Sequence, residues 1–289
     1  MGLKCCVFGL GYIGLPTACL LAKAGYKVTG VDINHNLVEE LNHNKVSINE
    51  PGLRESLYEA IDTGNFTASI QPVTSDIYLI AVPTPFKNSD SKIPQPNIEN
   101  VISSAKAISK VIKKNQMILI ESTCPVGTTR KVASLIGKIT NLSQKDFSVA
   151  YCPERVLPGN ILSELIENDR VVGGISETDS LKAKSFYKTF CKGEVHETKA
   201  ETAELVKLTE NSYRDVNIAF ANELSIICSS LKKDVSELIK LANHHPRVNI
   251  LNPGAGVGGH CIAVDPWFIV SQFPDDAKLI KSARLVNNY

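Results

Sequence analysis

Two features of this sequence, a cysteine in a glycine-rich stretch and a glycine fingerprint near the start, indicate redox chemistry. Cys261 follows Gly258 and Gly259, and Asp265 comes four residues later. About 250 residues upstream, Gly9–Gly14 has the G-x-G-x-x-G pattern that binds the pyrophosphate of a dinucleotide. A thiolate can capture an aldehyde as a thiohemiacetal, which a second oxidation converts to a thioester and hydrolysis to an acid. The pairing therefore suggests a four-electron oxidation of an alcohol.

The reactivity of Cys261 depends on a positive group that lowers the pKa of its thiol, and Lys207 or His260 could provide that charge. The alternative is a buried, inert cysteine, which is the more common state of this residue. The eight cysteines form no C-x-x-C pair and no His/Cys ligand spacing. We therefore expect reduced thiols and no metal site.

A second group of polar residues lies on one long helical pattern. Apolar residues recur at steps of three and four between 201 and 231 without proline or glycine, which predicts one long helix. Lys207, Asn211 and Arg214 share a face of that helix. The lysine could move a proton or stabilise an alkoxide, and the amide could hold a substrate oxygen. The alternative is an ordinary solvated polar stripe.

A loop with two imidazoles and a guanidinium follows a short predicted helix, 235–242, which Asp234 caps. The loop contains His244, His245 and Arg247. Arginine suits phosphate or carboxylate recognition. Adjacent histidines without a carboxylate favour pocket lining over metal binding, so His245 and Arg247 are candidate ligand contacts.

The elements that must position this chemistry begin with a strand–turn–helix–strand unit. The predicted order is strand 4–8, the glycine turn, helix 15–24 and strand 27–31, which ends in Asp32. Gly9 permits the tight turn, Gly11 lets the backbone approach a pyrophosphate, and Gly14 lets helix and strand pack closely. Asp32 can bind a ribose 2′-hydroxyl and would repel a 2′-phosphate, so NAD is favoured over NADP.

Further strand-then-loop units follow at 77–81, 117–120 and 147–150. Strands that alternate with helices predict an α/β fold with a Rossmann-like, doubly wound parallel sheet, in which ligands bind beyond the carboxyl ends of the strands. Thr84 and Thr123 fall in such loops and are candidate cofactor contacts, although turn and cap chemistry would explain them equally well. We expect an NAD-binding domain at 1–198 and an all-helical central domain at 199–289.

The bulk composition excludes several classes of protein. The chain has 289 residues, a net charge of +1 and 43% hydrophobic residues. These values predict a globular protein without a nucleic-acid or membrane partner. No apolar run reaches the roughly 18 residues of a membrane span. Lys4 to Gly9 has the pattern of a strand rather than a signal peptide, so we expect a cytoplasmic protein.

Six ordered motifs together resemble the nucleotide-sugar 6-dehydrogenase family, which includes UDP-glucose, GDP-mannose and UDP-N-acetylmannosamine dehydrogenases. The motifs are Gly9-x-Gly11-x-x-Gly14, Val82-Pro83-Thr84-Pro85, Glu121-Ser122-Thr123, Cys152-Pro153-Glu154-Arg155, Lys207-x-x-x-Asn211 and Gly259-His260-Cys261. The resemblance covers the entire chain. Two stretches, 151–159 and 258–267, are most similar to the N-acetylmannosamine branch.

The resemblance implies a role for each matching residue. In catalysis it implies Cys261 as the nucleophile, Lys207 as acid/base or oxyanion partner, Asn211 as holder of the reacting oxygen, Asp265 as support for Lys207 and the hydrolytic water, and Thr123 and Glu154 as positioners of water or a proton. The implied NAD contacts are Tyr12, Ile13, Asp32, Thr84 and Thr123. The implied lining of the sugar-nucleotide site is Arg155, Val156, Arg214, His245, Arg247 and Gly258.

The activity that the resemblance implies is an NAD-dependent oxidation of the C6 hydroxyl of a UDP-sugar to a carboxylate. The similar branch implies UDP-N-acetyl-D-mannosamine as substrate, its uronate as product and a place in polysaccharide biosynthesis. The family's long central helix is normally a dimer interface, which implies a homodimer through 201–231. Family members usually continue into a third, nucleotide-binding domain, which we expect to be absent from a chain that ends in a connecting helix at 277–288.

Two other interpretations remain open from the sequence. A two-electron dehydrogenase of the β-hydroxyacid type shares the nucleotide domain, the helical second domain and the helical Lys-x-x-x-Asn, but it does not need Cys261. A non-catalytic NAD-binding or dimerising fragment would retain NAD affinity without turnover. The number of NADH molecules formed per substrate separates these interpretations, because the four-electron reaction yields two.

Overall fold

The computed structural model describes residues 2–87, 93–254, 257 and 262–288. These residues form two compact units. The first comprises Met1–Thr84 and Ile98–Leu205, and the second comprises Pro85–Asn97 and Val206–Tyr289.

A single eight-stranded sheet forms the centre of the first unit. Its strands are β1 (Lys4–Phe8), β2 (Lys27–Val31), β3 (Phe66–Ser69), β4 (Ile77–Ile80), β5 (Met117–Ile120), β6 (Ser148–Tyr151), β7 (Arg170–Gly174) and β8 (Val195–Lys199). The order is β3-β2-β1-β4-β5-β6-β7-β8, and only the β6–β7 pair is antiparallel among these strands. The predicted doubly wound parallel sheet is confirmed. Its strand order reverses between β1 and β4, which is where such sheets bind ligands.

Seven helices accompany the described strands of this sheet. They are α1 (Gly14–Lys23), α2 (His35–Asn42), α3 (Leu53–Asp62), α4 (Glu99–Ile108), α5 (Thr128–Thr140), α6 (Ile161–Glu167) and α7 (Glu177–Tyr187). Alternate residues of a strand point to opposite faces. Cys5 and Val7 of β1 therefore pack in one hydrophobic cluster, and Cys6 and Phe8 pack in another. Burial on both faces explains why these strands are continuous apolar runs.

Helices make up most of the described part of the second unit, which also has an isolated β-bridge between Phe86 and Pro96. The helices are α8 (Ala200–Ser230), whose first residues belong to the first unit, α9 (Val235–Ala242), α10 (Asp265–Gln272) and α11 (Lys278–Asn287). The long helix predicted at 201–231 is thus confirmed to within one residue. The Asp234 side chain accepts a hydrogen bond from Ser236 N at 2.8 Å, so the predicted cap of α9 is also confirmed.

A buried ion pair joins the last helix of the second unit to the long one. Arg284 on α11 donates to Asp215 on α8 at 2.6 Å, and both side chains are almost fully buried. Asn287 donates to the same carboxylate at 2.8 Å. Asn222 donates to Asn287 at 2.8 Å and accepts from Gly254 N at 2.9 Å. This network fixes α11 and the chain at Gly254 against one side of α8.

Seven cysteines lie in the described part of the chain, and all of them are free and buried. Those thiols are therefore core residues. Among the described residues, no helix is both long and apolar enough to cross a bilayer.

Candidate functional site

The glycine turn after β1 is closed by contacts that only glycine permits. Gly9 has a φ of +87°, and a Cβ there would lie 2.5 Å from the carbonyl oxygen of Ala81. A Cβ on Gly14 would lie 1.8 Å from the carbonyl oxygen of Gly9. Any side chain at these two positions would push α1 away from the ends of β1 and β4. The turn and the close helix packing predicted for Gly9 and Gly14 therefore have a direct steric cause.

Gly11 differs from the other two glycines because it faces open space. No atom lies within 4 Å of a Cβ built on it. It stands just before α1, whose N-cap residue Ile13 offers no side-chain hydrogen bond to the first N–H groups. Tyr12 beside it is 55% exposed. An uncapped helix N-terminus with open space before it fits the pyrophosphate of a dinucleotide.

The carboxylate at the end of β2 is held in place by backbone groups on two sides. Asp32 Oδ2 accepts from Leu10 N at 2.9 Å, and Oδ1 accepts from Asn34 N at 2.9 Å. Each oxygen keeps a second acceptor position. The carboxylate is thus fixed next to the glycine turn and can still accept from ribose hydroxyls, which fits a dinucleotide without a 2′-phosphate.

The loops after β4 and β5 are joined by side-chain hydrogen bonds. Thr84 Oγ1 donates to the carbonyl oxygen of Thr123 at 2.8 Å. Ser122 Oγ accepts from Val82 N at 2.8 Å. The two threonines predicted as cofactor contacts therefore lie together, and the hydroxyl of Thr84 bonds to the neighbouring loop instead of within its own turn. Their contacts to the cofactor stay predictions. Ser122, which the sequence did not single out as a site residue, holds the same two loops.

Glu154 lies at the start of the loop after β6, and its two oxygens have different surroundings. Oε1 accepts from the backbone N of Arg155 at 2.6 Å and of Val156 at 2.9 Å. Oε2 is buried without a hydrogen-bond partner in the described part of the chain and lies 3.6 Å from Nη1 of Arg170. The first oxygen thus shapes the loop, and the second belongs to a buried charge cluster.

The cluster around Arg170 contains functional candidates that the sequence did not reveal. Glu121 Oε1 lies 3.8 Å from Arg170 Nη1 and accepts from the hydroxyl of Tyr187 at 2.9 Å. The guanidinium also donates to Cys191 Sγ at 3.0 Å. The pKa of Glu121 is raised to about 7, because burial and the charge of Glu154 raise it by more than the charge of Arg170 and the Tyr187 hydrogen bond lower it. Glu121 was quoted in a motif, but Arg170 gave no local signal, because only the fold brings it here.

The residues after Glu154 have a partly accessible surface. The side chains of Arg155 and Val156 are half-buried, and Leu157 is 53% exposed. The Arg155 guanidinium donates to the carbonyl oxygen of Asp169. The predicted sugar-nucleotide residues Arg155 and Val156 are thus held on an ordered loop.

In the second unit, three of the predicted catalytic residues come together. Asn211 on α8 donates through Nδ2 to Asp265 Oδ2 at 2.6 Å, and both side chains are buried. Burial raises the pKa of Asp265 to about 6, while the Asn211 hydrogen bond and the charge of Lys207 lower it. Asp265 is the first residue of α10. A lysine, an amide and a buried carboxylate therefore meet where α10 begins against α8.

Three cationic or imidazole residues predicted to bind the sugar nucleotide lie exposed. They are Arg214 on α8 and His245 and Arg247 after α9. His245 Nδ1 accepts from Arg247 N at 3.3 Å, which orders this short loop. Their exposed side chains are free to meet an anionic ligand.

Cys261 and Gly258 lie outside the described residues, together with His260. The roles predicted for them therefore stay predictions. In the described ranges, no group of three or more His, Cys, Asp or Glu side chains could hold a metal ion.

Comparison with known families gives two adjacent matches. Residues 3–191 match the NAD binding domain of the UDP-glucose/GDP-mannose dehydrogenase family, and residues 201–289 match the central domain of the same family. The cofactor that the fingerprint and Asp32 fit is therefore NAD.

Curated relatives and a solved structure extend these matches over the chain. A UDP-N-acetyl-D-mannosamine dehydrogenase of Campylobacter jejuni is 53% identical over 99% of this chain and 71% of its own length. An NDP-N-acetyl-D-galactosaminuronic acid dehydrogenase of Ralstonia nicotianae is 50% identical over 98% of this chain and 68% of its own length. The structure of a UDP-D-ManNAc dehydrogenase from Pyrococcus horikoshii superposes with a TM-score of 0.93 at 40% identity, over 99% of this chain and 68% of that one.

Proposed function

The chain belongs to the UDP-glucose/GDP-mannose dehydrogenase family, and we propose that it oxidises the C6 hydroxyl of a UDP-sugar to a carboxylate in two NAD-dependent steps. We further propose UDP-N-acetyl-D-mannosamine as the substrate, on the 53% identity to a dehydrogenase of that sugar. The observation that carries the chemistry is the buried bond from Asn211 to Asp265, with the positive charge of Lys207 acting on the same carboxylate.

The cofactor would be held by the features of the first unit that fit it. Gly11 leaves room for the pyrophosphate before α1, and Asp32 accepts from the ribose hydroxyls. Tyr12, Ile13, Thr84 and Thr123 complete the proposed contacts. NAD supplies an acceptor for the hydride that leaves C6.

The first oxidation needs a group that takes the hydroxyl proton and groups that hold the oxygen. Lys207 serves as that acid/base partner or as the cation that stabilises the alkoxide. Asn211 uses one N–H on Asp265, and its second N–H is available to the reacting oxygen. Asp265 orients the amide and the ammonium group. Loss of the proton and the hydride leaves an aldehyde at C6.

The second oxidation proceeds through a covalent bond to Cys261. Its thiolate adds to the aldehyde carbon, and the oxygen takes up a proton, which gives a thiohemiacetal. Loss of that proton and of a second hydride gives a thioester. Water, positioned by Thr123 or Glu154, attacks the carbonyl, the C–S bond breaks, and the thiol is restored. One alcohol, two NAD⁺ and one water yield one carboxylate, two NADH and three protons.

The sugar nucleotide would be bound by residues of the loop after Glu154, of α8, of the segment after α9 and of the glycine-rich stretch before Cys261. We assign Arg155, Val156, Arg214, His245, Arg247 and Gly258 to this role. Guanidinium groups suit the diphosphate, because they present parallel donors to two oxygens. The product is a nucleotide uronic acid, which suits transfer into an acidic polysaccharide.

We also propose that the chain forms a homodimer through α8. Tyr213 is 70% exposed, Phe220 53% and Ile227 46%, and they recur at seven-residue steps. They therefore form one apolar stripe, which a second copy would cover. The proposed division into 1–198 and 199–289 is supported by the two family matches. The free thiols and the use of NAD favour the cytoplasm.

Product stoichiometry tests the proposal. The four-electron reaction gives two NADH per UDP-N-acetyl-D-mannosamine consumed, and one NADH would instead indicate a two-electron, β-hydroxyacid-type enzyme. Cys261→Ser should form no acid and should bind NAD as the unchanged protein does. Normal acid formation by this variant would exclude the covalent step.

A substrate panel tests the sugar. UDP-N-acetyl-D-mannosamine, UDP-N-acetyl-D-galactosamine and UDP-glucose should be compared by kcat/KM, and the first should be preferred. A preference for the galacto sugar would agree with the relative from Ralstonia nicotianae instead. NAD binding without turnover of any of the three would indicate a non-catalytic NAD-binding fragment.

A further inference from the structure

Carboxylates accept the backbone N–H groups of the loop that follows Glu154. The bonds are Arg155 N (2.6 Å) and Val156 N (2.9 Å) to Glu154 Oε1, Leu157 N (2.9 Å) to Glu164 Oε2, Gly159 N (2.8 Å) to Glu50 Oε2, and Ile161 N (2.7 Å) to Glu50 Oε1. Pro158 has no N–H, and Asn160 N donates to the carbonyl oxygen of Leu157 at 3.1 Å. We call residues 155–161 the carboxylate-held loop.

Glu50 is the distant member of the three carboxylates. It is separated in sequence from Gly159 and Ile161 by 109 and 111 residues. Its side chain is 6% exposed, so most of its hydration is lost. A buried carboxylate is costly unless hydrogen bonds replace its water, and bonds to an ionised acceptor are about twice as strong as neutral ones. Glu50 is therefore a strong anchor between the α2–α3 connection and the loop.

Capping of a helix end does not by itself explain a carboxylate at position 50. The N-cap residue of α6, Asn160, makes no side-chain cap bond, whereas Asn34 and Ser176 cap α2 and α7 with their own side chains. Asn160 could do the same at less cost, because Asn is among the best N-cap residues. Glu50 also binds Gly159, which precedes the helix and has a φ of +96°. The bond thus fixes the loop, in addition to the helix end.

We propose that Glu50 is a positioning residue, which holds the carboxylate-held loop in the conformation that binds the sugar nucleotide. The inference rests on the proposed function, in which Arg155 and Val156 line that site. A loop that is ordered before the ligand arrives loses less conformational entropy on binding. Loosening the loop should therefore weaken binding of the sugar nucleotide and leave NAD, whose proposed contacts lie after β1, β2, β4 and β5, unaffected.

Glu50→Gln tests the proposal most directly, because it changes the hydrogen bonds of the side chain and not its size. The amide keeps one acceptor oxygen and places an NH₂ group against a backbone N–H, so one of the two anchoring bonds is lost without a change in shape. We expect the dissociation constant for UDP-N-acetyl-D-mannosamine to rise by at least about tenfold, the effect of losing one charge-assisted bond. The dissociation constant for NAD should stay within about twofold. Both constants can be measured by titration calorimetry.

Ser176→Ala is the matched control, because it removes the local cap of α7 and not an anchor of the loop. The Ser176 side chain accepts from Asp179 N at 3.2 Å. Loss of such a cap lowers stability without affecting residues 155–161. Ser176→Ala should leave both dissociation constants unchanged. An equal loss of sugar-nucleotide affinity in both variants would reduce Glu50 to a general stabiliser and overturn the proposal.

Hydrogen exchange separates this inference from the proposed function. Peptides that cover 155–161 should exchange faster in Glu50→Gln than in the unchanged protein, and peptides that cover the glycine turn should not. Unchanged exchange in 155–161 would overturn the inference. If the unchanged protein binds none of the three UDP-sugars, the proposed function and the assigned ligand fail, and the exchange result alone decides whether Glu50 orders the loop.

A second variant covers the case in which Glu50→Gln does not fold. Glu164→Ala removes the carboxylate that accepts from Leu157 N at 2.9 Å and from the Asn168 side chain at 3.3 Å. It should raise the dissociation constant for the sugar nucleotide in the same direction by a smaller factor, with NAD unaffected. No rise in this variant, together with unchanged exchange in 155–161, would contradict the inference.

Discussion

Asp265 is the residue whose surroundings most directly determine how the proposed chemistry depends on pH. Its burial raises its pKa to about 6, and the Asn211 hydrogen bond and Lys207 charge oppose that rise. The ionised form accepts from Asn211 and attracts Lys207, whereas the protonated form loses the charge that orients them. The working form of the site is therefore the one present above about pH 6.

The acid limb of the rate profile should report this ionisation. We expect kcat/KM to rise as the pH passes through about 6. Asn211→Ala removes a hydrogen bond that lowers the pKa of Asp265. The variant should be less active, and the acid limb of its rate profile should lie at higher pH. Rates for the oxidation should be measured from pH 5 to 9.

Asn217→Ala is the control for this prediction. Asn217 lies on the same helix, and its side chain donates to the carbonyl oxygen of Tyr213 at 2.7 Å instead of to Asp265. The limb should not move in this variant. If the acid limb lies at the same pH in Asn211→Ala and in the unchanged protein, then the group that ionises there is not Asp265.

At the scale of elements, two glycines of the same turn have different roles. Gly14 allows α1 to pack closely, and Gly11 leaves space for a ligand. A Cβ on Gly14 would overlap the Gly9 carbonyl, whereas a Cβ on Gly11 would meet nothing. Gly11→Ala should therefore keep its thermal unfolding midpoint within about 2 °C and lose at least about tenfold in NAD affinity, because the methyl group occupies the space for the pyrophosphate. Calorimetric titration with NAD and thermal unfolding check both parts.

Gly14→Ala should have the opposite effect, with its main loss in stability. The clash separates α1 from β1, so this variant should lose thermal stability first and NAD affinity as a consequence. Unchanged NAD affinity in Gly11→Ala would mean that the pyrophosphate does not use this turn.

A buried ion pair connects α8 and α11, and loss of its arginine should lower the free energy of unfolding. Arg284→Met leaves the Asp215 carboxylate buried without its cation, which we expect to lower the free energy of unfolding by about 3–5 kcal/mol. Adding Asp215→Asn removes the stranded charge and should recover much of that loss. Chemical denaturation of the two variants tests this, and an equal loss in both would show that lost packing, instead of charge, is responsible.

At the scale of the whole molecule, the apolar stripe on α8 predicts association. Phe220→Glu places a charge in the middle of the surface that we propose a second copy covers, so the protein should become monomeric in light scattering. Tyr58→Glu is the matched control, because Tyr58 is an aromatic residue of similar exposure, 60%, on α3 of the first unit. It should leave the dimer intact. A dimer that survives Phe220→Glu would place the interface elsewhere.

The sequence alone determined the features that arise from neighbours along the chain. Local spacing predicts the glycine turn, the alternation of strands and helices and the long helix α8. Each of these features depends on residues that are close together in the sequence. Lys207 and Asn211 could be predicted as a pair for the same reason, since one helical turn separates them. The family followed from the order of such local motifs.

Only the tertiary structure decided which distant groups meet. Asn211 and Asp265 are 54 residues apart, and Glu50 lies more than 100 residues from the loop it anchors. Arg170 stands between Glu121 and Glu154 because three strand ends converge, which no periodicity of the chain records. Such contacts come from the packing of whole elements, so the sequence showed which residues could react and the fold determined what holds them in place.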